Sequence, residues 1–534
     1  MSAGAYERER GRARAVARRA EARLPIAGAA AMPSGLQRRL AAARERIGAG
    51  ERTRARQPIY ALYLAVLLVL TVYQDFPLVN RIGEIGRTPI ILLAPVFVFC
   101  ELALLARHKR IADLTRLQRQ LLGFLAYLAV ISCLYVFGQF LQGTYAYGSE
   151  NILVKAVKVG IYLVLILLYV RHVTLLLRRL TDPRWLFLSF FAVLSLLFAV
   201  MLVELASMPY ALPGLHSGSG PYYRVRMLTS ESSTTGSIVV VLGAIYLVLA
   251  RRLAGQSARM FAYLYLGVFA AYYVLTTSSK GFLVIALATM LVTMLQFMNF
   301  KRKKNMLLLL VTLLGAGLFV FYFSGSVLSS FANDMENYTS SYTRLGTVLI
   351  ALLTVLHHPL GVGTGAYLVY FEAYINQVIG LLSEFYYNVF GMSQINAGEL
   401  LNYVSSDKNL GVKSGFFQWL MFGGIGTVVF FFVLIRGMLA RARGSLVLYV
   451  GLVFTLLSLL YVTLEIKYEV WLLLAFLSVW GRGGAADDEA DDRRGGEAGS
   501  PDAEGDNAAS RLAGGTRRPR EDKTTSRETE AKAE

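Results

Sequence analysis

The feature that most limits how this chain can fold is a succession of apolar runs. They fall near 59–78, 89–106, 121–142, 152–171, 186–206, 236–250, 261–278, 281–299, 306–324, 415–435, 445–462 and 467–481. Most approach the roughly 20 residues that a helix needs to cross a bilayer. The expected architecture is an all-α polytopic membrane protein with about twelve transmembrane helices, and the 55% hydrophobic content agrees. Residues 59–481 form the membrane domain. Residues 1–58 are rich in Arg, Ala, Glu and Gly and have no apolar core with a small-residue cleavage site. They read as a basic cytoplasmic tail rather than a cleaved signal peptide. Gln37 to Ile47 fits a basic surface helix and a solvated tail equally. Residues 482–534 lack apolar periodicity and have the composition of a disordered charged tail.

The net charge of +19 is concentrated in the N-terminal tail and a few short loops. A basic arm also suits nucleic acid, but in a membrane chain it reads as an orientation signal beside anionic lipid, with no nucleic-acid partner. With that tail inside, Arg107-His108-Lys109-Arg110, Arg178-Arg179, Arg251-Arg252, Lys301-Arg302-Lys303-Lys304 and Arg436, Arg441 and Arg443 all fall on the cytoplasmic side. Twelve spans with both termini cytoplasmic satisfy the positive-inside bias. Arg81 and Arg87, in the first external loop, are mild exceptions. The two cysteines, Cys100 and Cys133, sit inside apolar runs and make neither a disulfide framework nor a CxxC pair.

A long polar insertion, 325–414, interrupts the apolar series on the external side; a second external loop covers 207–235. An insertion of that length is functional or disordered, and its aromatic and aliphatic content opposes disorder. Within it, Leu345 to Leu356 is too short to span, below the limit of about 17 residues. It reads as a re-entrant or interfacial helix. Tyr367 to Phe390 places Tyr367, Tyr370, Phe371, Tyr374, Val378, Leu381, Leu382, Phe385 and Val389 on one helical face. That aromatic density suits a helix at headgroup level.

A second set of cations lies on the external side, against the orientation bias: Lys155, Lys158, Arg224, Arg226, Lys280, Arg344, Lys408 and Lys413. Snorkelling at a span end accounts for Lys155 and Lys158. Arg224 and Arg226 flank Val225, so both face one way if that stretch is extended. The Ser/Thr run 232–235 that follows reads as a segment at headgroup depth, where irregular backbone must be buried or line a wet cavity. Lys280 follows Thr276-Thr277-Ser278-Ser279 at a tight turn, and Arg344 precedes the re-entrant helix. Three such segments can converge on one anion, a lipid-linked phosphate or pyrophosphate, which Arg forks and Lys point charges match. The competing account is structural ion pairing.

Gly361-Val362-Gly363-Thr364-Gly365 is no nucleotide loop, since no Lys-Ser/Thr follows. The glycines suit a sharp turn out of the re-entrant helix. Adjacent His357 and His358 point in different directions on a helix, and no Cys/His/Asp cluster completes a metal site. A helix C-terminal cap is the simpler role, and a base role stays open.

Arg224/Arg226 with Glu231, Leu275-Thr276-Thr277-Ser278-Ser279-Lys280, Ser341-Tyr342-Thr343-Arg344, His358-Pro359-Leu360-Gly361-Val362-Gly363 and Ser414-Gly415-Phe416-Phe417 before Gly423-Gly424-Ile425-Gly426 form an ordered set. In that order they resemble the O-antigen polymerase and O-antigen ligase family of bacterial glycan enzymes. The outer-turn cation of the family is commonly Arg, here Lys280, which weakens a bidentate grip. Ligases carry a His where this chain reads Gly411-Val412-Lys413-Ser414, which favours polymerase.

The resemblance implies polymerisation of polyprenyl-pyrophosphate-linked oligosaccharide repeat units on the outer face of the bacterial cytoplasmic membrane, with flippase and chain-length-regulator proteins as possible partners. Arg224, Arg226, Lys280 and Arg344 are then the pyrophosphate-binding residues. Glu231 is the first candidate base, with Asp407 and Glu399 behind it, against a role as ion-pair partner to the arginines. Tyr223, Ser279, His358, Asp407, Lys408 and Lys413 complete the expected substrate contacts. Such chemistry needs cations for the departing pyrophosphate and a base for the acceptor hydroxyl, and no cofactor or metal is expected. The alternatives are a ligase acting on a lipid or protein acceptor, and a transporter or flippase for a lipid-linked sugar. The second is disfavoured because no internal repeat or mid-span charge is evident.

Overall fold

The computed structural model describes residues 55–481, except 110–113, 149, 211, 219, 278, 299–300, 308, 312, 316, 318–339, 392–397 and 406–409. Both tails, part of the expected span at 306–324, and Asp407 and Lys408 therefore lie outside the described residues, as do the side chains of Lys280 and Glu399.

The fold is all-α apart from a two-residue antiparallel ladder, β1 (Ala146–Tyr147) with β2 (Glu150–Asn151). The first half contains α1 (Gln57–Val72), α2 (Ala94–His108), α3 (Arg116–Leu141), α4 (Ile152–Arg179), α5 (Pro183–Ser207), α6 (Ser232–Ala250), α7 (Gln256–Thr276) and α8 (Lys280–Phe297). The second contains α9 (Ser340–His357), α10 (Tyr367–Phe390), α11 (Gly398–Ser405), α12 (Gly415–Ala442), α13 (Leu446–Ser458) and α14 (Tyr468–Trp480). Among the described residues, 7 helices are long and apolar enough to cross a membrane: the segment 89–107, which covers all of α2 but its last residue, then α3 to α7 and α12. Helices α1, α13 and α14 are apolar but shorter, at 16, 13 and 13 residues. For the last two there is a physical reason. The sequence between them, 459–467, carries Thr463, Glu465 and Lys467, and it leaves the helical path to pack on the start of α12.

Local signals set the helix ends. Thr115 and Gln118 form a reciprocal capping box at α3. Asn151, Asp182, Ser279, Ser414 and Ser445 accept backbone N–H groups at α4, α5, α8, α12 and α13. Helices α6 and α14 are buried on nearly every side and form the centre, with α4, α5 and α13 packed around them. Large apolar residues such as Phe99, Leu134, Leu264 and Val284 face outward. An apolar outer surface of this kind is what lipid covers.

Two expectations change here. The Ser/Thr run at 232–235 is not irregular but forms the first turn of α6, because α6 begins at Ser232. The short helix expected at 345–356 is longer, 18 residues, and it is one arm of a helical hairpin. The other arm, α10, has the expected bounds and runs back along α9: Tyr374 stacks on His357, Tyr370 meets His358 edge-on, and Tyr342 meets Tyr386. Its buried stripe is Tyr367, Phe371, Ile375, Val378, Leu382 and Tyr386; Leu381, Phe385 and Val389 point away.

The hairpin tip docks on a break in α12. Gly424 has φ 50° and ψ −132°, so the helix is interrupted there. Val362 and Gly363 donate to Met421 and Phe422 carbonyls at 3.0 and 2.9 Å, and Ile425 donates to Pro359 O at 2.8 Å. Backbone groups released by the break are thus satisfied by the tip, as a buried interruption requires. The turn reading of the glycines holds, since Gly361 and Gly363 have φ of 83° and 75°. Contact adds a second reason: a Cβ on Gly424 would lie 2.0 Å from Pro359 O.

Candidate active site

A cavity of about 410 Å³ opens at one end of the bundle. Its walls come from connections at that end: Arg87 before α2, Lys155 in the first turn of α4, Glu231 before α6, Arg344 in the first turns of α9, Lys413 before α12, and Glu465 and Lys467 before α14. Five cations and two carboxylates therefore line it among the described residues. Two of the cations are backed by carboxylates set outside the lining. Lys155 Nζ lies 3.4 Å from Glu150, and Lys467 is held by the buried Glu469 and by Gln74 Oε1, to which its ammonium donates. Glu469 also accepts from Ser237 Oγ at 2.8 Å and from Gln74 Nε2.

The wall nearest α12 is built by close backbone approach. Gly415 N donates to Val462 O at 2.7 Å, and Ser414 Oγ donates to Leu459 O at 2.9 Å. A Cβ at position 415 would meet Leu464 at 2.7 Å, which is why glycine follows the capping serine. Arg344 fastens the same connection from the other side. Its Nη1 donates to Tyr461 O at 2.6 Å and its Nη2 lies 3.6 Å from Glu231 Oε2. Glu231 is largely exposed and also accepts from Ser233 Oγ at 3.1 Å.

Burial tunes the groups at the floor. It pushes the Lys467 ammonium down to about 8, against the upward pull of Glu469 and Glu231. It pushes the Glu465 carboxyl up, although the backbone N–H groups of Glu465 and Leu464 and the Trp419 indole, at 3.2 Å, donate to it. Gln418 is 5% exposed, and its Oε1 accepts from Val412 N at 2.5 Å. Its Nε2 is buried at the cavity without a hydrogen-bond partner. A buried donor left open at the edge of a cavity is a place for a ligand acceptor.

Of the residues expected from sequence, the structure brings Arg344, Glu231 and Lys413 to one cavity. It does not bring Arg226 there. Arg226 is buried, its Nε 4.0 Å from Glu204 Oε1 and its guanidinium over the Tyr222 ring at 4.8 Å. Arg224 and Tyr223 are exposed beyond the lining, so the two arginines do not face one way. Ser279 is buried, and its hydroxyl caps α8 by accepting from Phe282 N. His358 sits past the far end of α9, roughly 20 Å along the helix from Arg344 at 1.5 Å per residue, and its Nδ1 is 3.2 Å from Tyr135 Oη. Burial, with His357 beside it, lowers its pKa. His357 Nδ1 is 2.9 Å from Leu353 O, as a C-terminal cap requires.

Three cavity residues run against the sequence reading. Lys155 is not a snorkelling side chain but a wall of the cavity, and Arg87 is more than an exception to the charge bias. Lys467 was absorbed into an expected span. Its signal was present: Glu465, Lys467 and Glu469 are ionisable residues at every second position beside an apolar run, and intramembrane charge marks function by default. Among the described residues, no three His, Cys, Asp or Glu side chains group as metal ligands. No protein-family model matches the chain, and no curated protein sequence or solved structure matches it.

Proposed function

We propose that the protein is a membrane glycosyltransferase that polymerises polyprenyl-pyrophosphate-linked oligosaccharide repeat units on the outer face of the bacterial cytoplasmic membrane. The observation that carries this reading is the cavity lined by five cations and two carboxylates at one end of a bundle of apolar helices. Arg87, Lys155, Arg344, Lys413 and Lys467 supply the charge to hold a pyrophosphate and to stabilise it as it departs from the donor sugar. Positive charge at the end of a bundle of apolar helices supports a substrate whose phosphates are carried on a lipid. Arg224 and Arg226 stand outside this grip, and Glu231 serves as the carboxylate partner of Arg344. The unpartnered Gln418 amide offers a donor to a phosphate or sugar oxygen.

The test uses purified protein, polyprenyl-pyrophosphate-linked repeat units and no nucleotide sugar. A ladder of glycan products at multiples of the repeat supports polymerisation. Products that appear only when a lipid or protein acceptor is added make the protein a ligase. Movement of the intact lipid-linked unit across proteoliposomes without any new glycosidic bond makes it a transporter.

A further inference from the structure

The cavity holds two carboxylates, and they differ in environment. Glu231 is largely exposed and tied to Arg344 and Ser233. Glu465 is partly buried at the floor, and among the described residues none of the cavity cations pairs with it. Its carboxylate is instead oriented by neutral donors: the Trp419 indole at 3.2 Å and two backbone N–H groups. Trp419 is itself fixed, fully buried and stacked between Phe124 and Trp471 with ring centroids 5.6 and 5.8 Å apart. These donors fix the direction of the carboxylate and draw its basicity down, but burial outweighs them, and no arginine partner adds to their pull. We propose that Glu465, not Glu231, is the general base of the transfer reaction. This rests on the glycosyltransferase reading above.

In the step, the Glu465 carboxylate takes the proton of the acceptor sugar hydroxyl. The hydroxyl oxygen forms a bond to the anomeric carbon of the donor, and the bond from that carbon to the pyrophosphate oxygen breaks. The electron pair leaves with the polyprenyl pyrophosphate, whose added charge the cavity cations meet. No oxidant, nucleotide or second co-reactant enters. The upward shift that burial gives Glu465 brings its basicity nearer neutral pH, where a base is most effective. Gln418 Nε2, one residue before Trp419, gives the same acceptor region a hydrogen-bond donor.

The test compares wild type, Glu465→Gln, Glu465→Asp and Glu231→Gln for two readouts: binding of inorganic pyrophosphate by calorimetry in detergent, and glycan transfer from lipid-linked repeat units. The expected result is that Glu465→Gln binds pyrophosphate at least as tightly as wild type and loses transfer by about 10²- to 10⁴-fold, the usual range for a general base. Glu465→Asp regains part of that rate, and Glu231→Gln keeps more transfer than Glu465→Gln. Wild-type polymer with an equally active Glu465→Gln overturns the base alone. Loss of pyrophosphate binding together with transfer makes Glu465 a support of the cavity wall and also overturns it. A wild-type protein that binds pyrophosphate but forms no glycosidic bond overturns the transferase reading, and the base with it.

Discussion

Two charged clusters sit near the same end of the bundle, and they were built on opposite plans. In one, Glu204 accepts from Arg226 N and Met227 N at 3.0 and 2.8 Å and faces the Arg226 guanidinium, while Asp75 pairs with His216 at 2.9 Å and accepts from Ser217. All four side chains are buried, and each carboxylate is met by partners from within the protein. In the other, five cations stand around an open cavity with two carboxylates on its surface. The first cluster holds the 207–235 connection in place, including the left-handed residue Met227. The second also has carboxylate partners, Glu150 for Lys155, Glu231 for Arg344 and Glu469 for Lys467, but its cations line an open cavity. Charge alone does not mark a binding site near a membrane. What marks it is charge arranged around a cavity that a ligand can enter.

Breaking the closed cluster should cost stability before it affects binding. Glu204→Ala leaves Arg226 and two backbone N–H groups uncompensated, an expected loss of about 3–5 kcal/mol. Thermal unfolding in detergent reads it, and an unchanged melting temperature would deny that the cluster is structural. Breaking the open cluster should do the reverse. Arg344→Ala is expected to lower transfer by about 10²-fold or more, the scale of one lost transition-state donor, with pyrophosphate binding weakened and a smaller loss in melting temperature than Glu204→Ala gives. Retained wild-type turnover would remove Arg344 from the site.

The docking of the hairpin tip on α12 can be tested through Gly424→Ala. The new Cβ would strike Pro359 O, and φ of 50° strains any residue with a side chain. A loss of about 1–3 kcal/mol follows from such strain, read in the same melts. The smallest effect sharpens the open cluster. The Lys467 pKa lies near 8, below the ordinary value of about 10.4, so the ammonium is charged below pH 8 and neutral above it. Glu469, Glu231 and Arg87 act on it, and of these the carboxylates hold it up and Arg87 pushes it down. Affinity for a diphosphate diester, whose own charge is constant there, should fall several-fold from pH 7 to pH 9. Lys467→Met should be weaker at pH 7 and flat across that range.

Much of this fold was legible because apolar length and basic loops report on the bilayer directly. The α10 bounds and the turning role of Gly361 and Gly363 were readable from the chain, and Arg344, singled out there, lines the cavity. Arg226 was not, because its meaning depends on Glu204, 22 residues earlier, arriving beside it. Lys467 was hidden for a related reason. One charge at the edge of an apolar run reads as a span end, and only packing shows that Gln74, 393 residues away, receives it. Lys155 was misread because a snorkelling lysine and a cavity lysine have the same local sequence.

That long reach between Gln74 and the 467–469 stretch has a consequence for how the protein is made. A chain inserted into the membrane from its N-terminus presents Arg87 and Lys155 early, when nothing of the floor exists. Glu465, Lys467 and Glu469 are the last of these groups to be synthesised, and they arrive with the final apolar helix. Until then the half-made site lacks the acidic group at its floor and the wall that Arg344 fastens. Closure of the cavity is thereby coupled to completion: it waits for the stretch that carries its floor and for the wall that Arg344 fastens.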